Sequence, residues 1–369
     1  MRKCHFRDWA LSFKPLQRAF VARTENKQLS YTTVREITQM RGCCIEEIQN
    51  NIKAIQAMAH VQDKYVCTLD EDTLKKCKDE LKEDPRERSA CIQTLRDWCI
   101  AQPHLNSRLD DGFLLRFLRV GKFSQLRAQE LIDNYWSARS ADPQWFTMDP
   151  QESKMQELLD LGIFISLKGR DSDGRRIYMT NYCQYDPDAH SIDDVMRFSI
   201  MIMEYMTSDE YMQIHGCVVI EDAAGLGMKH VKIWTKDIIN KMMKVFQDGY
   251  PMRLKEIHYV NLGPVFNSIY EIFKYFMKEK LRNRIKLHWN NDSLQKMVSK
   301  KVLPTEYGGE AGPIKEHIKA FKEEIVAARE EIMYNQQARF NVDESKRIKV
   351  EKEDSGWGLI GAYRKLNIE

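Results

Sequence analysis

Hydrophobic positions change their spacing partway along this chain. Between about 70 and 140 they recur at helical intervals: Leu109, Phe113, Leu114, Phe117 and Leu118 share one face, and a second helix after Ser124 carries Ala128, Leu131, Ile132, Tyr135 and Trp136. Asp70 and the segment 106–110 offer capping side chains. This predicts a small all-helical domain over 65–145. Beyond Pro143 and Pro150 the period shortens. Segments 162–167 and 176–182 read as strands joined by the turn Asp171-Ser172-Asp173-Gly174. Helices at 192–206, 231–246, 264–280 and 293–299 then alternate with strands at 216–221, 256–261 and 285–289. That order predicts an α/β domain over 150–315 with a largely parallel sheet. Segment 314–333 reads as one exposed helix within a C-terminal part, 316–369, whose apolar tail at 356–360 is expected to dock. Residues 1–57 read as a weakly ordered leader, with Ile45, Ile48, Ile52 and Ile55 on one short amphipathic helix.

Composition narrows the class without naming a function. The chain has 369 residues, 30% charged and 43% hydrophobic, which excludes collagen-like, disulfide-scaffold and wholly disordered proteins. A net charge of +3 says little about partners, so any electrostatic function must be local. Apolar runs are strand-length, too short to span a bilayer, and the basic N-terminus lacks the apolar core of a secretory signal. Nine cysteines without regular spacing fit reduced thiols in the cytoplasm better than a disulfide framework.

Enzyme signatures are missing. Gly225-Leu226-Gly227 follows a strand, but His230 stands where the third glycine of a dinucleotide loop would be, and there is no Walker loop, Gly-x-Ser-x-Gly elbow or His-Glu-x-x-His. His215, His230, His258 and His288 read as single structural histidines near strand ends, and Asp222 as a turn-fixing residue. No metal or cofactor is expected. Two other features carry information. The helix at 264–280 has an aromatic stripe of Val265, Phe266, Ile269, Ile272, Phe273 and Phe276, flanked by Tyr270 and Tyr275. From 271 to 301 there are nine Lys or Arg against three Asp or Glu. An apolar face beside dense positive charge suits an anionic bilayer. Nucleic acid would not need the aromatic stripe, and no nucleic-acid motif accompanies it. Methionines crowd the helices 192–206 and 231–246, which fits either a plastic core or the wall of a lipid cavity.

Segments 111–119 (DGFLLRFLR), 218–225 (VVIEDAAG), Tyr250-Pro251, 257–261 (IHYVN) and 303–309 (LPTEYGG) together resemble the CRAL-TRIO lipid-transfer family, in its α-tocopherol transfer protein and cellular retinaldehyde-binding protein branch. The likeness covers about 65–315. It implies a helical CRAL-TRIO-N domain beside an α/β/α lipid-binding domain, acting as an intracellular, cytoplasmic and monomeric carrier of one hydrophobic lipid (tocopherol-like, retinoid or similar) that meets phosphoinositide membranes transiently. Carried over by position, the lipid pocket is Ser199, Ile202, Met203, Trp234, Met242, Val245, Phe246, Met252 and Ile257. The gate is Phe266, Ile269, Tyr270, Phe273 and Phe276, and the phosphoinositide site is Arg253, Lys255, Lys280 and Arg284. On the helical side the family's basic positions fall on Gly121 and Glu130, with Lys122 and Arg127 nearby. A phosphoinositide-binding adaptor or trafficking scaffold of the same fold is the alternative.

Overall fold

A computed structural model describes residues 65–348; the leader at 1–57 and the apolar tail at 356–360 lie outside the described residues. The first helices are α1 (Glu71–Lys76), α2 (Arg88–Ala101), α3 (Asp111–Val120) and α4 (Gln125–Ala141). Asp70 and Asp110 cap α1 and α3 by accepting from the amides of Thr73 (2.8 Å) and Phe113 (3.0 Å). The inward stripe of α3 is buried along with Trp136 and Tyr135 of α4. The chain turns from α3 to α4 through Lys122 and Phe123, both at positive φ.

After α5 (Ser153–Asp160), strands β1 (Phe164–Arg170) and β2 (Arg176–Thr180) form the expected antiparallel hairpin. The Asp171 side chain accepts from the amides of Asp173 (3.0 Å) and Arg175 (2.8 Å), and Gly174 takes a φ of +76°. Helices α6 (Ile192–Ser208) and α7 (Glu210–His215) lead into β3 (Cys217–Asp222). Helices α8 (Met228–Lys232) and α9 (Lys236–Met243) precede β4 (Leu254–Val260), and α10 (Phe266–Phe276) and α11 (Glu279–Arg282) precede β5 (Ile285–Leu287). The sheet runs β1-β2-β3-β4-β5, parallel from β2 onward. Its two faces follow from the strand period. Thr180, Glu221 and Tyr259 stand in one row, with Val219 and Ile257 in the next row on that face.

Three expectations are corrected. The helix expected over 231–246 is broken at Thr235, whose hydroxyl caps α9 by accepting from Ile238 N (3.3 Å), and it continues past Met243 as a π-turn over Lys244–Gly249. The helix expected over 264–280 ends at Phe276, because the Lys278 amide donates to Gln247 Oε1 (2.8 Å). The exposed C-terminal helix is two helices, α13 (Ile314–Ala327) and α14 (Arg329–Tyr334), following α12 (Asn291–Gln295). Both α13 and α14 are amphipathic, burying His317, Phe321, Ile325 and Ile332.

Buried ion networks tie the first helices to the α/β part. Arg119 is fully buried and donates to Glu83 (3.0 Å), Glu210 (2.7 Å) and Gln213 (2.9 Å). Glu204 of α6 accepts from Tyr135, Arg139, Tyr250 and Asn335 at 2.6–2.8 Å. Such carboxylates are tolerable inside because donors surround them.

Candidate functional site

One face of the sheet is covered by α6, α9 with its π-turn, and α10, and the packing leaves two adjoining cavities. The first, about 220 Å³, lies under α10 and is lined by Phe266, Ile269, Tyr270 and Phe273 together with Met196, Trp234 and Met242. The second, about 350 Å³, extends toward α11 past Met203, Met206, Met252 and Ile257 and reaches Lys278, Lys280 and Arg284. Ser199, Glu221, Met243 and Phe246 line both, so the two share a wall. Methionine is abundant there because its flexible thioether fills irregular space without fixing one shape.

Most of the sequence-derived pocket residues border these cavities: Ser199, Met203, Trp234, Met242, Phe246, Met252 and Ile257. Ile202 and Val245 are buried in the surrounding core and border neither. Of the gate residues, Phe276 packs on the core outside the lining, and Ile272 of the stripe is turned outward with Tyr275, 41% and 78% exposed. The helix therefore offers aromatic rings inward and two apolar side chains outward. Phe266 stacks on Tyr270 with ring centres 5.4 Å apart, and Trp234 meets Phe273 edge-on at 5.3 Å.

Both ends of α10 are held by polar side chains. Before it, Asn261 adopts a positive φ (+53°) and donates to Asp222 Oδ1 (2.9 Å). Asp222 also accepts from Ala224 N (2.8 Å) and from the Tyr307 hydroxyl, so it fixes the turn as expected. After the helix, Gln247 accepts from Lys278 N and donates to Phe276 O (3.2 Å).

The four basic positions divide into two pairs. Lys280 and Arg284 border the second cavity. Arg253 and Lys255 point to Glu80, whose Oε2 accepts from Arg253 Nη2 (2.8 Å) and Lys255 Nζ (3.2 Å). Burial, reinforced by the charges of Arg284, Lys122, Arg127 and Arg253, pushes Lys280 below the usual amine range, and burial with Arg253 does the same to Arg284. Arg253 Nη1 is buried without a hydrogen-bond partner. Mutual repulsion and an unused donor are what an anion would relieve. Lys122 and Arg127 thus contribute to this field.

Two features were not legible as sites. Glu80 lies 173 residues before Arg253, and no local pattern announces the pair. Glu221 had a signal: it follows Cys217 and Val219 in phase on the cavity side of β3, a carboxyl in an apolar row. Burial pushes it up to about 7, against the Thr180 hydrogen bond, which lowers it. His258 and His288, expected to stand singly, meet at 2.8 Å on the opposite face, with Glu256 (3.1 Å) and Ser293 (3.0 Å) at the two ends. Strand β5 closes beside β4 and brings them together. Among the described residues no group of three or more His, Cys, Asp or Glu is arranged to hold a metal ion, and no helix is long and apolar enough to cross a membrane.

The family described as CRAL/TRIO domain matches residues 161–309, and a Pinta-like UBA domain matches 84–155. The chain is 35% identical over 252 residues to the Alpha-tocopherol transfer protein-like protein of Homo sapiens, covering 68% of this chain and 73% of that one. It is 32% identical over 248 residues to Clavesin-1 of Xenopus laevis, covering 66% and 75%. Among solved structures, the crystal structure of Sfh5 aligns with a TM-score of 0.45 at 18% identity, over 73% of this chain and 100% of that one.

Proposed function

This chain belongs to the CRAL-TRIO family of lipid-binding and transfer proteins, and we propose that it carries one hydrophobic lipid in the paired cavities and exchanges it at anionic membranes through movement of α10. The observation that carries the reading is the apolar chamber directly beneath an aromatic helix whose outer side exposes Ile272 and Tyr275. Burying several hundred Å² of cargo at about 25 cal/mol per Å² gives several kcal/mol of retention, so release into water is slow. At a bilayer the outward side chains and inner rings of α10 exchange contacts with acyl chains, and the barrier falls there. The cluster of Lys280, Arg284, Arg253, Lys122 and Arg127 supplies the counter-charge for a phosphorylated headgroup, and headgroup binding favours the open state only by its differential affinity for it.

The test is native mass spectrometry of gently purified protein, followed by extraction and identification of the bound molecule. A carrier co-purifies with a hydrophobic compound at near-stoichiometric occupancy. An empty protein that still binds phosphoinositide vesicles would favour the adaptor reading. Charge reversal of Lys280 and Arg284 together should slow cargo delivery to vesicles containing phosphatidylinositol bisphosphate by more than tenfold, at about 1 kcal/mol per basic residue. Unchanged delivery would remove the cationic cluster from the mechanism.

A further inference from the structure

Exposed apolar side chains are ordinary one at a time and informative when they gather. Of the nine large hydrophobic residues exposed among the described residues, three lie between 287 and 297: Leu287 (39%), Trp289 (73%) and Met297 (50%). Trp289 is the only exposed tryptophan among the described residues. Backbone contacts hold it from both sides. His288 N donates to Tyr259 O (2.9 Å) at the end of β5, and Asn290 Oδ1 accepts from Ser293 N (2.9 Å) to cap α12. The corner that presents the indole is therefore set before any partner arrives. Leu287 sits opposite Tyr259, whose ring packs on Phe266 (5.2 Å) and Tyr270 (6.0 Å) of α10. The patch thus begins one strand out from the footing of that helix.

The charge around it is unspent. Lys286, Lys296, Lys300 and Lys301 are exposed, and none forms an ion pair among the described residues. Asp292 is the only acid between 286 and 301. Just upstream, by contrast, Lys274 and Lys278 are paired with Glu271 and Asp248. Strand β5 is an edge of the sheet, but it has three residues with Lys286 at its centre, which suits it poorly to accept an added strand. Two copies meeting here would set one lysine cluster against the other. We infer that the surface built by β5 and α12 is a docking face for an anionic bilayer, distinct from the α10 cover and from the cluster at Lys280 and Arg284. The indole seats at headgroup level, where an amphipathic ring is favoured, and the lysines meet the phosphates. This inference rests on the carrier reading above and adds the anchor that holds the chain on the membrane while α10 moves.

The test is co-sedimentation of the full chain with phosphatidylcholine vesicles in which phosphatidylserine is the sole anionic lipid, so that phosphoinositide recognition is not engaged. Trp289→Ala should weaken binding roughly tenfold. Lys286→Gln, Lys296→Gln, Lys300→Gln and Lys301→Gln combined should cost about fivefold per lysine at low salt and progressively less as salt rises. Brominated acyl chains should quench a component of tryptophan emission that Trp289→Phe lacks. Affinity unchanged in both altered proteins, or identical quenching in wild type and Trp289→Phe, would overturn the docking face. So would unchanged vesicle affinity together with a concentration-dependent dimer that Trp289→Ala abolishes in analytical ultracentrifugation, which would assign the patch to a second copy. Native mass spectrometry of the same preparations separates the two readings. A loaded protein indifferent to these changes on vesicles keeps the carrier and loses the docking face, whereas an empty protein whose vesicle binding falls with Trp289→Ala does the reverse.

Discussion

Glu80 shows how one carboxylate can set the strength of a distant surface. It occupies Arg253 and Lys255, so half of the basic positions begin neutralised, and an incoming anion must compete for them. Glu80→Gln should raise affinity for phosphoinositide vesicles several-fold, with a steeper salt dependence, in co-sedimentation at two ionic strengths. Glu221 gives a pH signature of its own. Its folded pKa lies above the ordinary glutamate value, so its stabilising contribution is complete below about 4.5 and is lost as pH rises through about 7. Relative to the wild type, Glu221→Gln should gain about 2 kcal/mol more at pH 8 than at pH 5, read from denaturant midpoints. Cys183, Asp222 and His230 also border the first cavity, and Lys280 and Arg284 the second, so the same measurement on Thr180→Val separates the carboxyl's titration from theirs.

At the scale of elements, α10 is clamped through its backbone at the far end by a single amide side chain. Gln247→Ala frees the Phe276 carbonyl and the Lys278 amide together, and amide exchange across 266–278 should accelerate by about tenfold while the sheet is unaffected. This clamp also marks where sequence reading stops. The aromatic stripe, the basic run, the turn-fixing Asp222 and the alternation of strands and helices were all legible, because each repeats or contrasts within a few residues. The end of α10 was not, since Gln247 lies 31 residues from the amide it captures. Ile272 fell on the inward stripe by angle alone, and only the packing of α10 on its neighbours turns it to solvent. The contact of His258 with His288 was hidden for the same reason. Burial and the neighbouring imidazole push His258 down to about 4, so the folded protein takes up a proton there later than the unfolded chain does. Stability should therefore fall as pH drops from about 6.5 toward 4, and His258→Gln should flatten that limb in pH-dependent melts.

For the whole molecule, cohesion between the first helices and the lipid-binding part depends on buried charge as well as apolar packing. Arg139 reaches Glu204 of α6 and, through Asn335 O (2.8 Å), the segment after α14. Arg139→Met should cost about 3–5 kcal/mol in equilibrium unfolding, because it leaves the buried Glu204 carboxylate with neutral donors and no cationic partner. Adding Glu204→Leu should recover part of that loss. The carboxylate at the end of β3 has a different consequence. Asp222 holds Asn261 in front of α10 and the Tyr307 hydroxyl 46 positions later in the chain. A swing of the cover about Asn261 must then either give up its grip on that carboxylate or strain the one Tyr307 keeps. On the proposed carrier mechanism, opening at the membrane should consequently be audible at Tyr307, whose ultraviolet resonance Raman band would shift in step with cargo release although the residue lies outside α10.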